Sequence, residues 1–393
     1  MLGLRLFYFF FFAALGIYSP AFPRWLEANG IRGFELGVVA ALGPVMGLVS
    51  PPVFGWLADK SGLRRSLVAS TALVSACVVG SLGLVSARAA PAFAVTFGCA
   101  AAFAFFRAPM GSLADTIALE SRVSYGPVRL WGSLGFLVAA VAAGRWIDPT
   151  SPVLLASIAA ALGCAALAAW LLPARSPVLA ASVGVAPTRM GALALLRDAP
   201  ALRWLFLCAL FFETAHSAYD LCFSLHLRDE GIAPAMAGIL WALGVMAEVV
   251  FFLVAERLLE RFGPGSLLVL GAAATAVRLG LMGELHGLAS LAALQSLHAL
   301  TFGATWTALM RIVREQARPE SLGALRGLLS ATSAVGGASG MIAWGTCYRA
   351  LGGATTFRGA ALVGSVAAVL GAICARSLAA REGQDVPGVA SGK

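Results

Sequence analysis

Charge is scarce in this 393-residue chain: Asp, Glu, Lys and Arg make up 12% of it, against about 25% in a soluble domain. With 60% hydrophobic residues and a mean hydropathy of +0.86, that shortage excludes an ordinary water-soluble fold, whose helices are apolar along one stripe only. The seven cysteines are odd in number, sit in apolar stretches and form no CxxC pair, which argues against a disulfide framework or a metal site. No GxxxxGK[ST] motif occurs, so ATP is not the direct driver of whatever the chain does. The net charge of +9 comes without any run of dense Lys and Arg among exposed aromatics, so nucleic acid is not an expected partner. Nothing calls for a cofactor or a metal.

What the chain has in abundance is apolar windows of about 20 residues, each long enough to cross a bilayer as a helix. The expectation is an all-α polytopic membrane protein with twelve transmembrane helices, near 4–26, 34–57, 65–86, 91–119, 127–147, 152–172, 201–227, 235–258, 265–284, 288–311, 322–349 and 355–376. Arg5 ahead of an apolar run would also suit a signal peptide, but the run is too long and "YSPAFPRW" is a poor cleavage site, so it reads as a retained helix. With both termini inside, nineteen of the 28 Lys and Arg residues fall on the cytoplasmic side, seven outside, and two (Arg107, Arg278) within helices. That bias is the positive-inside rule and sets the orientation; the expected location is a plasma (bacterial inner) membrane, with both termini cytoplasmic.

The one long polar interruption, Pro173 to Asp198, is rich in Pro, Ala and Ser and suits a linker. It divides the chain into an N-terminal six-helix bundle (1–172), a cytoplasmic linker (173–199), a C-terminal six-helix bundle (200–377) and a cytoplasmic tail (378–393). An internal repeat supports the division. "GWLADKSGLRRSLV" after the second helix and "AERLLERFGPGSLLV" after the eighth align on Gly62 and Gly263, so that Asp59 meets Glu260 and Lys60 meets Arg261. Repeated bundles about a central axis are a recurrent transporter plan, with substrate bound between them near the midplane.

Gly55, Asp59, Lys60, Gly62, Arg64 and Arg65 resemble the helix 2–3 signature of the major facilitator superfamily, with Leu63 where a basic residue is common. Glycines there permit close helix approach and a tight turn, and the charges suit a gating latch that opens as the halves rock. "YGPVRLWGSLGF", "LWALGVMAEVVFF", "AVRLGLMG" and "LQSLHALTFGATW" resemble the sugar:proton symporter branch, and more closely its phenylpropionate-permease-like and nucleoside:proton symporter-like members.

Several charged residues lie inside the apolar spans. Glu213, His216 and Asp220 are spaced i, i+3, i+7 on one face of the seventh helix; Glu248 is on the eighth, Arg278 on the ninth and His298 on the tenth. In the first half Arg107 and Asp115 are on the fourth helix and Arg129 opens the fifth. Each costs about 2.5–3.5 kcal/mol at bilayer depth, so the set must line a watery cavity or pair across helices, for instance Glu248 with Arg278. By the resemblance, Glu248, Arg278 and His298 take proton-coupling roles, Arg129 contacts substrate and Phe136 is a stacking aromatic. Position 301, where the lactose-permease pattern has a proton-accepting acid, is Thr301, which leaves Glu213 or Asp220 to substitute. The expected substrate-binding set is Arg107, Asp115, Arg129, Phe136, His216 and Asp220, and the proton-coupling set Glu213, Glu248, Arg278 and His298.

The function these readings imply is secondary active transport: proton-coupled symport of a small organic solute (an aromatic or organic acid, a glycoside or a nucleoside) by alternating access. The partners are a small-molecule substrate, protons and the lipid bilayer, with a monomer expected. Proton-antiport efflux of amphipathic compounds is the alternative within transporters. A non-transporting membrane scaffold is a rival of another class. So is an intramembrane protease, with "GASG" at 337–340 as serine motif and His298 as base, although small-residue packing explains that stretch equally.

Overall fold

The computed structural model describes residues 2–121, 125–173, 199–318 and 321–382. Arg122, Arg175, Arg189, Arg197 and Lys393, most of the 173–199 linker and most of the 378–393 tail lie outside the described residues. Among the described residues the structure is helical, with no strand.

We number the spans α1 (Leu2–Ala28), α2 (Phe34–Ser61), α3 (Arg64–Ser86), α4 (Phe93–Glu120), α5 (Tyr125–Trp146), α6 (Val153–Ala169) and α7 (Pro200–Asp229). Then come α8 (234–262), α9 (264–282), α10 (288–316), α11 (322–351) and α12 (353–382). α8 and α9 form one helical stretch turned back on itself at Gly263 (φ 74°), as α11 and α12 do at Gly352 (φ 79°). At such φ values a residue with a Cβ is strained, so each hairpin turns on a glycine. The twelve expected spans are present, some ending a few residues further out.

Two spans are broken where continuous helices were expected. α4 steps at Ala108 because Pro109 opens its second piece, Pro109–Glu120. Proline has no N–H to give the carbonyl four residues back, and that carbonyl, on Phe105, takes a hydrogen bond from Ser50 Oγ of α2 at 2.5 Å instead. α10 consists of Leu288–Ser296, a π-helical turn at Ala299–Ala304, and Thr305–Gln316. Such turns concentrate at functional sites.

Seven helical stretches are long and apolar enough to cross a membrane by length and composition, two of them the hinged doubles. α7 and α10 are not among them. α10 is divided into pieces too short to count as one span, and α7 carries Glu213, His216 and Asp220.

Within the first half α1 packs on α5 and α6, and α3 on α6; within the second, α7 packs on the α11–α12 hairpin. The halves meet chiefly through α2 on α11 and α5 on α8, at the face away from the chain ends. There the backbones approach closely. A Cβ on Gly37 would lie 2.6 Å from Ile342 Cα, one on Gly345 2.7 Å from Gly33 O, and one on Gly144 2.5 Å from Pro234 O. An ion pair joins the halves at the same face, between Arg228 of α7 and Glu27 of α1. Arg228 also holds Asp229 (2.8 Å), which accepts from Tyr348 of α11 (2.6 Å).

Candidate functional site

The second half builds a polar centre around Arg278 of α9, which is 1% exposed. Its guanidinium lies 4.2 Å from the centre of the Tyr219 ring of α7. It donates to Leu294 O (3.0 Å), Gln295 Oε1 (2.8 Å) and Thr301 Oγ1 (3.4 Å), and contacts His298 Nδ1 (3.1 Å). All four partners come from α10. The π turn sets His298 and Thr301 on the side facing α9, which packs so closely that a Cβ on Gly271 would lie 3.0 Å from Leu300 O. Tyr219 OH also donates to Gln295 Oε1 (3.1 Å).

From this centre two carboxylates extend outward. Glu248 Oε2 of α8 lies 3.7 Å from His298 Nε2, and Asp220 Oδ1 lies 3.7 Å from His216 Nε2. The two imidazoles stack at 5.6 Å. The stack continues from Phe212 through His216 and His298 to Phe302 and Trp306. Trp306 then lines a cavity of about 330 Å3 between α2, α7, α10 and α11, together with Glu213, Asp220, Ser217, Ser333 and Met341.

In the first half, Arg129 of α5 lies over the rings of Phe12 (4.1 Å) and Tyr8 (5.4 Å) of α1, and Tyr8 OH donates to Asp115 of α4. Arg107 of α4 lies between Tyr18 (5.8 Å) and Phe103 (5.6 Å); its Nε is buried and has no hydrogen-bond partner among the described residues. Arg129 of the first half is near enough to Glu248 of the second for their charges to interact.

The Arg278 centre brings together Arg278, His298, His216, Asp220 and Glu248, while Glu213 lies across the cavity wall near Asp220. The Glu248–Arg278 pair, the instance of pairing across helices that the sequence suggests, is not formed. Arg278 is saturated by α10 acceptors, and Glu248 lies beside His298 instead. Phe136 is buried in the first-half core, its backbone against Gly16 of α1; the rings under Arg129 come from α1. Ser339 Oγ donates to Gly336 O of its own helix at 3.1 Å, and His298 is committed to Arg278.

At the loop after α2, Gly62 takes a left-handed conformation (φ 69°) and caps the helix onto Ala58 O. Gly55 faces open space, so its expected close approach is absent. Arg64 binds Asp59 (2.6 Å) and Glu120 of α4. These ties stay within the first half: Arg64 begins α3 three residues after α2 ends, and Glu120 closes α4. The ion pair that crosses between halves is on the opposite face.

Residue patterning missed Tyr8, Phe12, Tyr18, Tyr219, Gln295 and Trp306. Gln295 was visible as a lone amide three residues before His298; the aromatics gave no signal in an aromatic-rich apolar background.

The MFS_1 like family model matches residues 1–359. The "Probable 3-phenylpropionic acid transporter" of Escherichia coli is 29% identical over 321 residues, covering 79% of this chain and 81% of its own. The maltose permease of Geobacillus stearothermophilus is 29% identical over 278 residues, 70% of this chain and 68% of its own. Among solved structures, the nucleoside transporter NupG superposes with a TM-score of 0.81 at 17% identity, over 96% of this chain and 98% of its own. That last likeness shows the fold.

Proposed function

The chain belongs to the MFS_1 like family, so it is an integral membrane transporter of small molecules and not an enzyme, and on that premise we propose that it couples uptake of a small organic acid to protons. The observation that carries this reading is the position of Glu248. It lies within reach of the field of Arg129 from the first half and 3.7 Å from His298 of the second. A protonatable group between the halves can answer both to a ligand's charge and to the rocking of the bundles. When a ligand carboxylate engages Arg129, that arginine no longer balances Glu248, and a carboxylate without a counter-charge in a desolvated site takes up a proton. His298, His216 and Asp220 extend the polar array from Glu248 toward the cavity.

The substrate reading rests on the first half. Arg107 and Arg129 lie on aromatic faces, which leaves guanidinium N–H groups for bidentate capture of a carboxylate while the rings contact an apolar or aromatic body. The phenylpropionate specificity named for the Escherichia coli relative agrees with an aromatic acid over a glycoside or nucleoside. In this reading residues 1–172 and 200–377 are the two rocking bundles, the termini are cytoplasmic, the membrane is the bacterial inner membrane and the working unit is a monomer. Glu213 or Asp220 stands in for the acid absent at Thr301, and Asp59, Lys60, Arg64 and Arg65 govern the rate of rocking.

A second reading, proton-antiport efflux, draws on the cavity that Glu213 and Asp220 line beside Trp306, a setting suited to an amphipathic cation. Proteoliposomes separate the two. Symport predicts accumulation of an aromatic acid with the proton gradient directed inward. Glu248→Gln should abolish that accumulation and retain substrate counterflow, which needs no net proton movement. Undiminished accumulation in Glu248→Gln would remove this acid from the mechanism, and accumulation driven only by an oppositely directed gradient would select antiport.

A further inference from the structure

On the outer wall of the first half, away from the site above, a groove of about 670 Å3 runs between the end of α2, α3 and α6. Its walls include Leu57, Leu63, Leu67, Leu73, Leu167 and Trp170. Trp170 is 55% exposed, and it stands at the end of the groove nearer the chain termini. The Arg65 guanidinium lies 5.4 Å from its ring, and Arg65 Nε is buried without a hydrogen-bond partner among the described residues. Lys60 lies over the exposed Trp56 at the same rim. Its neighbour Arg64 is consumed by Asp59 and Glu120; Arg65 is not.

The repeat supplies an internal control. At the repeated loop of the second half, a cavity of about 340 Å3 lies among the end of α8, α9, α10 and α12. Aligning Gly62 with Gly263 puts Gly265 opposite Arg64 and Ser266 opposite Arg65. The wall there is Ala375, Leu378 and Ala379 where the first half has Trp170, and Glu315 faces the opening. One half therefore joins an apolar channel to an available arginine at the membrane edge, and the other has at this level a polar recess whose carboxylate, Glu315, is held by Arg311. Helix packing alone does not need that difference.

We propose that the α2–α3–α6 groove is a binding site for an anionic phospholipid, with an acyl chain along the leucines and the headgroup phosphate on Arg65 beside Trp170. Tryptophan and arginine at a bilayer edge sit at headgroup depth, and basic recesses between membrane helices select anionic headgroups. The site joins the lipid to the loop carrying Asp59 and Arg64, and it stands whether or not the transport reading holds.

Native mass spectrometry of the delipidated full chain tests it, using phosphatidylglycerol and phosphatidylcholine with matched acyl chains. One phosphatidylglycerol should be retained in preference to phosphatidylcholine, and Arg65→Gln should weaken that retention about fivefold, as loss of one basic contact implies. Ser70→Trp, from an exposed position on the groove wall, is the second variant. It should weaken retention of the lipid by filling the apolar channel, with Arg65 intact. Equal retention of the two lipids, or phosphatidylglycerol held undiminished in Ser70→Trp, overturns the proposal. So does displacement of the lipid by millimolar inorganic phosphate, which would assign the basic rim to free anions.

Discussion

The two halves hold their membrane arginines in opposite ways. Arg278 of the second half has four polar partners and a tyrosine ring, all supplied by α7 and α10. Arg107 and Arg129 of the first half lie on the faces of Tyr18, Phe103, Tyr8 and Phe12. A saturated guanidinium positions its neighbours and has little left for a ligand. One resting on ring faces keeps its N–H groups for an incoming anion. Sequence similarity between the halves did not carry over to this division of labour.

The largest effect expected is on stability. Arg278→Gln leaves Gln295, His298 and Leu294 O without their charged donor, a loss of about 3 kcal/mol or more, given that each hydrogen bond to a charged group is worth roughly 1.5–3 kcal/mol. Thermal unfolding in detergent should fall sharply. If Arg278→Gln melts like the parent protein, the second-half centre is not a structural network and the contrast fails.

Next comes the joint between halves. Gly37→Val drives a side chain into Ile342 and Met341, and overpacking of this kind costs about 1–3 kcal/mol. Because the strain exists only where α2 meets α11, the variant should populate forms open at that face. Cysteine labelling near Gly33 would show increased accessibility; unchanged labelling would mean that the joint does not separate.

Arg107→Gln should lower the melting temperature less than Arg278→Gln, since a cation–ring contact contributes about 0.5–2 kcal/mol. It should weaken an aromatic carboxylate tenfold or more through loss of a charge-assisted hydrogen bond, and affect the neutral amide of the same compound much less. Equal weakening of acid and amide would contradict the anion reading.

Glu27→Gln removes the one ion pair between the halves among the described residues, which is partly exposed on the arginine side. Such pairs contribute about 0–1 kcal/mol, so a modest rise in labelling at the same face is expected, smaller than for Gly37→Val. The reverse order would make charge, not close packing, the main tie.

The smallest effect concerns Asp148 in the loop between α5 and α6. The Thr150 amide (2.9 Å) and hydroxyl (2.8 Å) hold its carboxyl below the usual range. A depressed carboxylate stabilises the fold at pH above its ordinary value of about 3.9, and that contribution is lost as pH falls through the lowered folded value. Asp148→Asn should therefore lower the melting temperature slightly at neutral pH and flatten its further fall below about pH 4.

Span count, the half repeat, the Gly62 turn and the presence of charges at depth were legible without coordinates. Each depends on local composition: a span needs about 20 apolar residues, and a carboxylate among leucines is conspicuous wherever it occurs. The breaks in α4 and α10 were less legible. The fourth span reads as continuous in the sequence in spite of Pro109, and the hydrogen bond from Ser50 that makes the step tolerable comes from another helix. No local pattern marks the π turn that aims His298 and Thr301 at α9.

Tertiary structure alone decided the pairings. Glu248 and Arg278 have opposite charges and lie on adjacent spans, which made a bond between them reasonable, yet Arg278 is taken by Gln295, His298 and Thr301 of α10. Likewise Arg64 is tied to Glu120, 56 residues away, and not to the other half. A charge's cost in the membrane is set by the residue itself, so sequence reveals that a partner must exist. Which partner it takes depends on the rotation and depth of helices packed to within a few ångströms, and those are fixed by the sum of all contacts.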